Sequence, residues 1–280
     1  MRSDFESQVL EPLLVANGLS YSYLERFPAL EEVSLEVDRG QRLALLGANG
    51  CGKSTLLKIL AGLIFADRGS YLAFGEKVNA EKLEDEQFSA GFRSRVGFVF
   101  QNTDAQVFSP TVREEIAFGP LQLGLEPDEI EIRISDVTAM LEIEDLIERA
   151  PYQLSAGQKK RVAIASVLAM NPELLLFDEP TAGLDPRSRH GLLELMIELR
   201  EAGKTIVFAT HELDQLEWIA DRCLVLSEQH RCLATGTPAQ ILADRELLLT
   251  ANLAHEHKHR HGTLRHSHAH ERGHHHPGPR

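Results

Sequence analysis

A glycine-rich segment at residues 47–55 carries the residue types that bind phosphate. It has the sequence GANGCGKST and matches the pattern G-x-x-x-x-G-K-[ST] in full. Glycines let successive main-chain N–H groups turn toward an anion, and a helix start adds partial positive charge. We predict that ATP binds here, with Lys53 at its β- and γ-phosphates and Ser54 on Mg²⁺. The predicted nucleotide contacts in this phosphate loop are Gly47, Asn49, Gly50, Cys51, Gly52, Lys53, Ser54 and Thr55.

Two carboxylates end an apolar run at residues 174–179. In a protein that binds a nucleotide through a phosphate loop, the first acid, Asp178, is placed to hold Mg²⁺. The second acid, Glu179, can orient and polarise an attacking water molecule. An acidic pair after a strand is common by itself. Its position downstream of the phosphate loop favours a catalytic role for the pair over an ordinary strand end. For the phosphate loop itself, the alternative is a glycine-rich turn with an accidental lysine, and the complete motif disfavours it.

Strands that alternate with helices are expected to position these residues. Short apolar runs are typical of buried strands, and they occur at 42–46, 96–100, 174–177 and 205–209. Apolar and polar residues alternate, as in half-buried strands, at 13–23 and 33–37. Helical spacing covers 53–63, 156–170 and 187–201. The pattern predicts an α/β fold with a parallel sheet, and the acidic block 112–147 is predicted to be a helical insertion.

Composition excludes several classes of protein. The 280 residues are 43% hydrophobic and 25% charged, as in globular proteins. The net charge of −13 argues against nucleic acid as a partner. A mean hydropathy of −0.19 and the lack of a long apolar run predict no membrane span, and the first residues do not resemble a signal peptide. Three cysteines without a C-x-x-C pair indicate a reducing compartment.

The order of several motifs resembles the ATP-binding subunit of ATP-binding-cassette (ABC) transporters. Residues 154–158 (LSAGQ) lie between the phosphate loop and the carboxylate pair and resemble the family's signature motif. Ala156 departs from the family pattern, which more often has glycine there. The other matching positions are Tyr23 for stacking on adenine, Gln101 of the Q-loop, 182–185 (AGLD) of the D-loop, and the switch histidine His211.

The resemblance covers roughly residues 13–236 and implies a domain organisation. The implied fold is a P-loop NTPase (RecA-like) core with an antiparallel β subdomain and a helical insertion subdomain at about 102–168. Residues 237–252 are expected to form a short C-terminal helical region. Residues 253–280 are expected to be a histidine-rich, disordered tail.

The resemblance also implies how the motifs work. Two subunits, identical or homologous, pair head to tail and enclose two ATP molecules. The implied catalytic residues are Glu179, His211 and Gln101, and the implied Mg²⁺ ligands are Ser54, Gln101 and Asp178. Ser155, Gly157 and Gln158 then contact the partner's nucleotide, and Asp185 couples the sites. Alternatives remain for three residues, because Ser155 can be a simple helix cap, His211 a strand-end histidine and Tyr23 a packing aromatic in competition with Tyr21 and Phe27.

A second resemblance concerns the kind of transporter. Residues 101–108 (QNTDAQVF) are similar to the QNPDDQxF stretch of energy-coupling-factor importers, although Thr103 and Ala105 depart from it. That group implies a transmembrane coupling protein and a substrate-binding membrane subunit as partners, with the ATPase at the cytoplasmic face of the cell membrane as a peripheral protein. The insertion's apolar residues either line a groove for the coupling protein or belong to the core; they are Val107, Phe108, Ile116 and Phe118.

The last 28 residues differ from the rest of the chain. They contain ten of the 13 histidines and carry a net charge of +3, against −16 for residues 1–252. Imidazole is a good ligand for Ni(II), Co(II), Zn(II) and Cu(II). We predict that the tail binds Ni²⁺ or Co²⁺; a solvated spacer is the alternative. The histidines that alternate without interruption are His255, His257, His259 and His261.

Three functions are compatible with these observations. An importer ATPase for nickel or cobalt agrees with the motifs and the tail. An energy-coupling-factor ATPase for a vitamin or another small solute shares the same motifs. A soluble cassette ATPase that acts on nucleic acid or ribosomes is disfavoured by the acidic body and by the single cassette.

Overall fold

A six-stranded sheet carries the phosphate loop in the computed structural model, which describes residues 12–261 and 264–271, with side chains as far as residue 254. Five strands are parallel and one edge strand is antiparallel. Three of the central strands consist only of buried residues, because layers cover both faces of the sheet. In spatial order, and numbered along the chain, the strands are β10 (Cys232–Gly236), β9 (Arg222–Leu226), β3 (Arg42–Leu46), β8 (Thr205–Thr210), β7 (Leu174–Asp178) and β6 (Val96–Val99).

A second, antiparallel sheet covers one face of the first. Its longest strand is buried at alternate positions near its end, as expected for a sheet with one face against the core. The order is β2-β1-β4-β5, with β1 at Leu14–Tyr23, β2 at Phe27–Val37, β4 at Arg68–Ala73 and β5 at Glu76–Lys77.

Ten helices occur in the described residues. Three of them, together with short 3₁₀ turns, form the predicted insertion, in which α4 packs against α5 and α6. The helices are α1 (Lys53–Leu60), α2 (Ala80–Glu84), α3 (Glu86–Arg95), α4 (Val112–Gln122), α5 (Pro127–Met140), α6 (Ala156–Leu168), α7 (Pro186–Glu201), α8 (Leu216–Ile219), α9 (Pro238–Ala243) and α10 (Arg245–Thr250).

Two hydrophobic cores lie on opposite faces of the six-stranded sheet. Leu43 and Leu45 of β3 point into the β-side core, which also contains residues of β1, β2 and α1. Ala44 and Leu46 point into the helix-side core with residues of α4 to α7. Successive side chains of a strand point to opposite faces, so one five-residue strand joins both cores. The loop that follows β3 therefore starts from a firmly held position.

Part of the tail, for which the sequence predicts disorder, is described as two paired strands. The backbone of Ala254–His261 (β11) pairs antiparallel with Leu264–Glu271 (β12). The physical reason is the two-residue period of the histidines, which is also the period of a strand. In addition, Leu253 and Ala254 are buried in the helix-side core, beyond the expected boundary at residue 252. His274, His275 and His276 lie outside the described residues.

The sequence analysis gave no element between residues 64 and 95. The structure places β4, β5, α2 and α3 there. These elements are short and rich in charged residues, so their hydrophobic period is weak. Throughout the described ranges, no helix has both the length and the apolar character that crossing a bilayer requires.

Candidate nucleotide-binding site

The backbone of the phosphate loop has a shape that only glycine can adopt at certain positions. Gly47, Gly50 and Gly52 have φ values of +147°, +84° and +111°. A Cβ at Gly52 would lie 2.2 Å from the carbonyl oxygen of Ala29, and one at Gly47 would lie 2.7 Å from that of Leu226. These contacts are with main-chain atoms, which cannot rotate away. The loop between β3 and α1 is therefore held in a single, tightly curved shape.

Helix α1 begins inside this loop without a side-chain cap. Its N-cap residue is Gly52, which provides no acceptor, and the first helical hydrogen bond runs from Leu56 N to Gly52 O at 2.9 Å. The N–H groups of a helix's first turn have no acceptor within the helix, so they are available to an anion. Cys51 beside them is 1% exposed, and burial raises the pKa of its thiol. Asn49 and Gly50 are exposed at the tip of the loop.

Lys53 is buried at the centre of the site. Its side chain is 6% exposed, and its Nζ donates to the carbonyl oxygens of Gly47 at 2.8 Å and Ala48 at 3.2 Å. The same Nζ lies 3.5 Å from Oε1 of Glu179. A buried ammonium group needs partners of opposite polarity, and here it bridges the loop and a carboxylate from β7's end. Lys53 is thus placed where a phosphate group would meet it.

Ser54 and Asp178 come together as the sequence predicts. Ser54 Oγ donates to Asp178 Oδ1 at 2.8 Å, although the two residues are 124 positions apart. Asp178 is buried, and this burial raises the pKa of its carboxyl group. A hydroxyl and a carboxylate oxygen form a donor set that suits Mg²⁺. A bound divalent cation would favour the ionised form of Asp178.

Glu179 has the features of a residue held for catalysis. Its φ is +47°, in the left-handed region that a non-glycine residue rarely adopts, and it is 5% exposed. Oε2 lies 3.0 Å from Nδ1 of His211, at the end of β8. Oε1 is buried and has no hydrogen-bond partner among the described residues. The ammonium group of Lys53 lies 3.5 Å away and offsets part of the cost of burying this oxygen, which could still accept a hydrogen bond from a water molecule positioned for attack.

Tyr23 contacts the start of α1. Its hydroxyl lies 3.2 Å from Oγ1 of Thr55, and its ring is 39% exposed. Tyr21 packs edge-on against Tyr23, with 5.0 Å between the ring centroids. Tyr23 is therefore a partly exposed aromatic residue beside the phosphate loop, and its stacking on adenine stays a prediction.

The signature residues form a separate group. Ser155 caps α6: its Oγ accepts from Gln158 N at 3.3 Å, and Gln158 Oε1 accepts from Ser155 N at 2.9 Å. This reciprocal pair is a capping box, and a helix cap is compatible with the role predicted for Ser155 toward a nucleotide. Asp185 caps α7 and accepts from Ser188 Oγ at 2.7 Å, which lowers the pKa of its carboxyl group.

The D-loop lies next to the signature motif within the same chain. A Cβ on Gly157 would be 3.3 Å from Ser188 Oγ and 4.0 Å from Asp185 Oδ2. In the described part of the chain, no hydrogen bond joins either group to the phosphate loop. The predicted site residues therefore form two clusters, one around Lys53 and one around Ser155.

Gln101 follows β6, the strand that pairs in parallel with β7 beside Asp178. It is exposed after β6, and no hydrogen bond among the described residues joins it to Ser54 or Asp178. Its main-chain carbonyl accepts from Lys160, a residue that the sequence analysis did not single out. A lysine inside the signature helix has no distinguishing signal in one sequence. The same holds for Glu212, which accepts from Arg189 at 3.0 Å and from Thr181 at 3.3 Å beside the switch histidine.

The fold and the main cluster define an ATP-binding P-loop enzyme, and comparison with known proteins gives the family. The model of the ABC transporter family matches residues 30–182. The energy-coupling factor transporter ATP-binding protein EcfA of Methanothermobacter thermautotrophicus is 44% identical over 86% of this chain and 76% of that protein. The nickel import ATP-binding protein NikO of Rhodobacter capsulatus is 44% identical over 87% of this chain and 96% of that protein.

Solved structures agree with this assignment. CbiO1 of Clostridium perfringens, part of the ABC transporter complex cbiONQ, has a TM-score of 0.74 and 35% identity, and the match covers 87% of this chain and 95% of that one. The ATP-binding cassette MJ0796, a dimer bound to ADP and Pi, has a TM-score of 0.72 and 28% identity over 80% of this chain and 98% of that one. The chain belongs to the ABC transporter family. It is an ATP-hydrolysing subunit of the energy-coupling-factor type.

Proposed function

We propose that this ATPase subunit powers the import of nickel or cobalt ions through an energy-coupling-factor transporter. The observation that supports the ATPase part most directly is the convergence of Lys53, Ser54, Asp178, Glu179 and His211 on one loop and two strand ends. Bound ATP would be held at Lys53 and the start of α1, with Mg²⁺ at Ser54 and Asp178. Mg²⁺ supplies charge neutralisation of the phosphates when bound. Glu179 then orients water, and His211 holds Glu179.

Two substitutions test this assignment. Lys53→Ala is expected to abolish ATP binding, because it removes the buried ammonium group. Glu179→Gln keeps the size and the contact with His211 but loses the charge. It is expected to bind ATP normally, trap a dimer and reduce turnover by about 10² to 10⁴-fold. ATP binding and phosphate release are measured on both variants. Wild-type hydrolysis by Glu179→Gln contradicts the role of Glu179.

The second part of the proposal is that the cluster around Ser155 serves the nucleotide of another subunit. Ser155 and Asp185 are exposed, and the hydrogen bonds described above that involve them remain within their own helix starts. The capped N-terminus of α6 offers N–H groups and a partial positive charge to an anion outside its own chain. The relative MJ0796 is a dimer with ADP and Pi, which supports a paired arrangement of two subunits.

The third part concerns membrane partners. We assign the membrane-facing surface to Phe108 and Phe118, which are 68% and 45% exposed and pack edge-on at 5.3 Å between centroids. Val107 and Ile116 are buried in the helix-side core and take no part in it. A cavity of about 680 Å³ lies beside the two rings, lined also by Leu63, Phe98 and Met170. A helix of a transmembrane coupling protein fits an apolar cavity of this kind. This contact would hold the ATPase subunit at the cytoplasmic face of the membrane, in an assembly that also contains a substrate-binding subunit.

The cargo assignment depends on the tail. In the backbone register of β11 and β12, three histidine pairs stand directly opposite each other: His255 with His270, His257 with His268, and His259 with His266. His261 stands opposite Leu264. Metal ligands are thus repeated along a short ribbon, and NikO, a relative of this chain, is named for nickel import. Up to residue 254, no group of three or more His, Cys, Asp and Glu side chains is placed to hold a metal ion.

Calorimetry with Ni(II) tests the tail. The full chain is expected to bind one or more Ni(II) or Co(II) ions, and acid is expected to release them below about pH 6, as imidazole becomes protonated. A protein that ends at residue 254 keeps Leu253 and Ala254 in the core and is expected to hydrolyse ATP normally without binding nickel. Replacement of His255, His257, His259 and His261 by Asn is the matched control for chain length. Equal binding by the shortened protein removes the reason for a metal cargo and favours a vitamin or another solute.

A further inference from the structure

Two neighbouring lysines of α6 hold the segment that contains Gln101. Lys160 donates through Nζ to the carbonyl oxygens of Phe100 at 3.2 Å and Gln101 at 3.1 Å. Lys159 forms an ion pair with Asp104 in the short turn that follows. Both lysines lie within two turns of Ser155, which caps the same helix. The signature helix and the Q-loop are therefore joined directly, inside one chain.

Lys160 is an unusual residue for packing alone. It is 4% exposed, and no ion pair among the described residues joins its Nζ to a carboxylate, although the charge of Asp178 acts on it and favours its charged form. Burial lowers its pKa, because the charged form loses its hydration. A methionine of similar length would fill the same volume without this cost. What the lysine adds is a pair of charge-assisted hydrogen bonds to one short stretch of main chain.

The main chain on both sides of Gln101 is fixed as well. Gln106 Oε1 accepts from Phe100 N at 2.9 Å, and its Nε2 donates to Phe98 O at 3.2 Å. Asn102 Oδ1 accepts from Asp104 N at 3.0 Å. These bonds fix the backbone while the side chain of Gln101 remains exposed. Lys160 supplies the contact from α6 to the carbonyl of Gln101 itself.

We propose that Lys160 is a positioning residue that makes the Q-loop move together with the signature end of α6. The proposal rests on the proposed function, in which Gln101 serves the subunit's own nucleotide and Ser155 serves the partner's. A helix rises about 1.5 Å per residue, so Ser155 and Lys160 stand about 7.5 Å apart along one rigid rod. A shift of the capped helix start is then transmitted to Gln101 through Nζ. One subunit thereby links the two ATP sites of a pair.

The central test is a cycle of Lys160→Met and Gln101→Ala. Lys160→Met is expected to lower kcat for ATP about tenfold, because fewer molecules hold Gln101 in its productive position. KM for ATP is expected to change less than twofold, since Lys160 does not touch the phosphate loop. In the Gln101→Ala background the same substitution is expected to have almost no further effect, because a residue that acts through Gln101 has nothing left to position. Equal losses in both backgrounds contradict the proposal.

Conservative and neighbouring variants separate positioning from folding. Lys160→Arg keeps charge and donors and is expected to restore most of kcat, and Lys160→Gln, with one amide donor group, is expected to lie between wild type and Lys160→Met. Lys159→Met removes only the exposed pair with Asp104 and is expected to cost less than twofold. If Lys160→Met and Lys160→Gln both keep the wild-type kcat while Gln101→Ala lowers it, the role of Lys160 is overturned. The proposed ATPase function is unaffected by that outcome. A wild-type rate for Gln101→Ala overturns the role of Gln101 itself.

Discussion

The starts of α1 and α6 are both helix N-termini with a proposed phosphate partner, yet they are held in opposite ways. At α1 the shape comes from main chain: Gly52 has no side chain, and the carbonyl of Ala29 stands where a Cβ would be. At α6 the shape comes from side chains, because Ser155 and Gln158 cap the helix reciprocally. One helix start is buried and uncapped, and the other is exposed and capped.

This difference shows which of the two clusters is assembled within a single chain. Around α1, side chains from β7 and β8 converge on the loop, so one subunit holds the groups for binding and for orienting water. Around α6, the hydrogen bonds that shape the helix start are local. An exposed helix start whose shape is set by its own cap can contact a second molecule at the surface without a rearrangement of its own chain. The second cluster therefore agrees with action across a subunit boundary.

The largest expected effect is that of Gly52→Ala. The added methyl group meets a fixed carbonyl at 2.2 Å, and φ is +111°. We expect the free energy of unfolding to fall by about 3 kcal/mol or more, with loss of ATP binding. Gly50→Ala is the matched control, because φ is also positive but no atom lies within 4 Å; about 1 kcal/mol is expected. Denaturant titration of both variants provides the measurement, and equal losses contradict a sterically defined loop.

An intermediate effect is expected when two inactive variants are mixed. Ser155→Arg blocks the capped start of α6, and Lys53→Ala removes the ammonium group of the loop. In a mixed pair one composite site keeps both Lys53 and Ser155. If subunits pair at random and one intact site suffices, about a quarter of the wild-type rate is expected. Phosphate release is measured after subunit exchange has been demonstrated. A mixture that exchanges but stays inactive argues against action across the boundary.

The smallest expected effect is on the cap itself. Ser155→Ala is expected to lower the free energy of unfolding by about 1 kcal/mol, the usual cost of losing a hydroxyl cap, whereas Ser155→Gly costs a few tenths. Both substitutions remove the capping hydroxyl and differ little in size, so their difference reports how well each residue without a side-chain acceptor suits the backbone of the N-cap position. Thermal or chemical unfolding of both variants gives the values. A loss of several kcal/mol for Ser155→Ala would mean that Ser155 has structural partners beyond its helix.

Much of the central sheet was predictable because its strands are short apolar runs. The runs at 42–46 and 205–209 correspond to β3 and β8, and the helix at 187–201 corresponds to α7 within one residue. The charged segment that contains β4 and α3 gave no such pattern. In the tail, composition indicates disorder, whereas the alternation of the histidines is also the period of paired strands, so the two signals point in different directions.

The candidate site was predictable where a property is local. The phosphate loop needs glycines within six residues, and the cap of α6 needs a serine and a glutamine three residues apart, so both can be recognised in sequence. Which of the insertion's apolar residues are buried and which are exposed could not be recognised from local sequence. On α4, Phe118 is exposed and Ile116 is buried, and this depends on which face of the helix meets α6.

The sequence by itself determined which residues are candidates for the chemistry: an ammonium group after glycines, two acids after a strand, and a capped helix in the signature motif. Only the tertiary structure decided which of them meet. Ser54 reaches Asp178 and His211 reaches Glu179 because parallel strands bring their carboxyl ends to one edge of the sheet. Lys160 reaches Gln101 because α6 packs beside β6. Spacing along a chain limits local geometry, whereas contacts between distant segments depend on how whole elements pack.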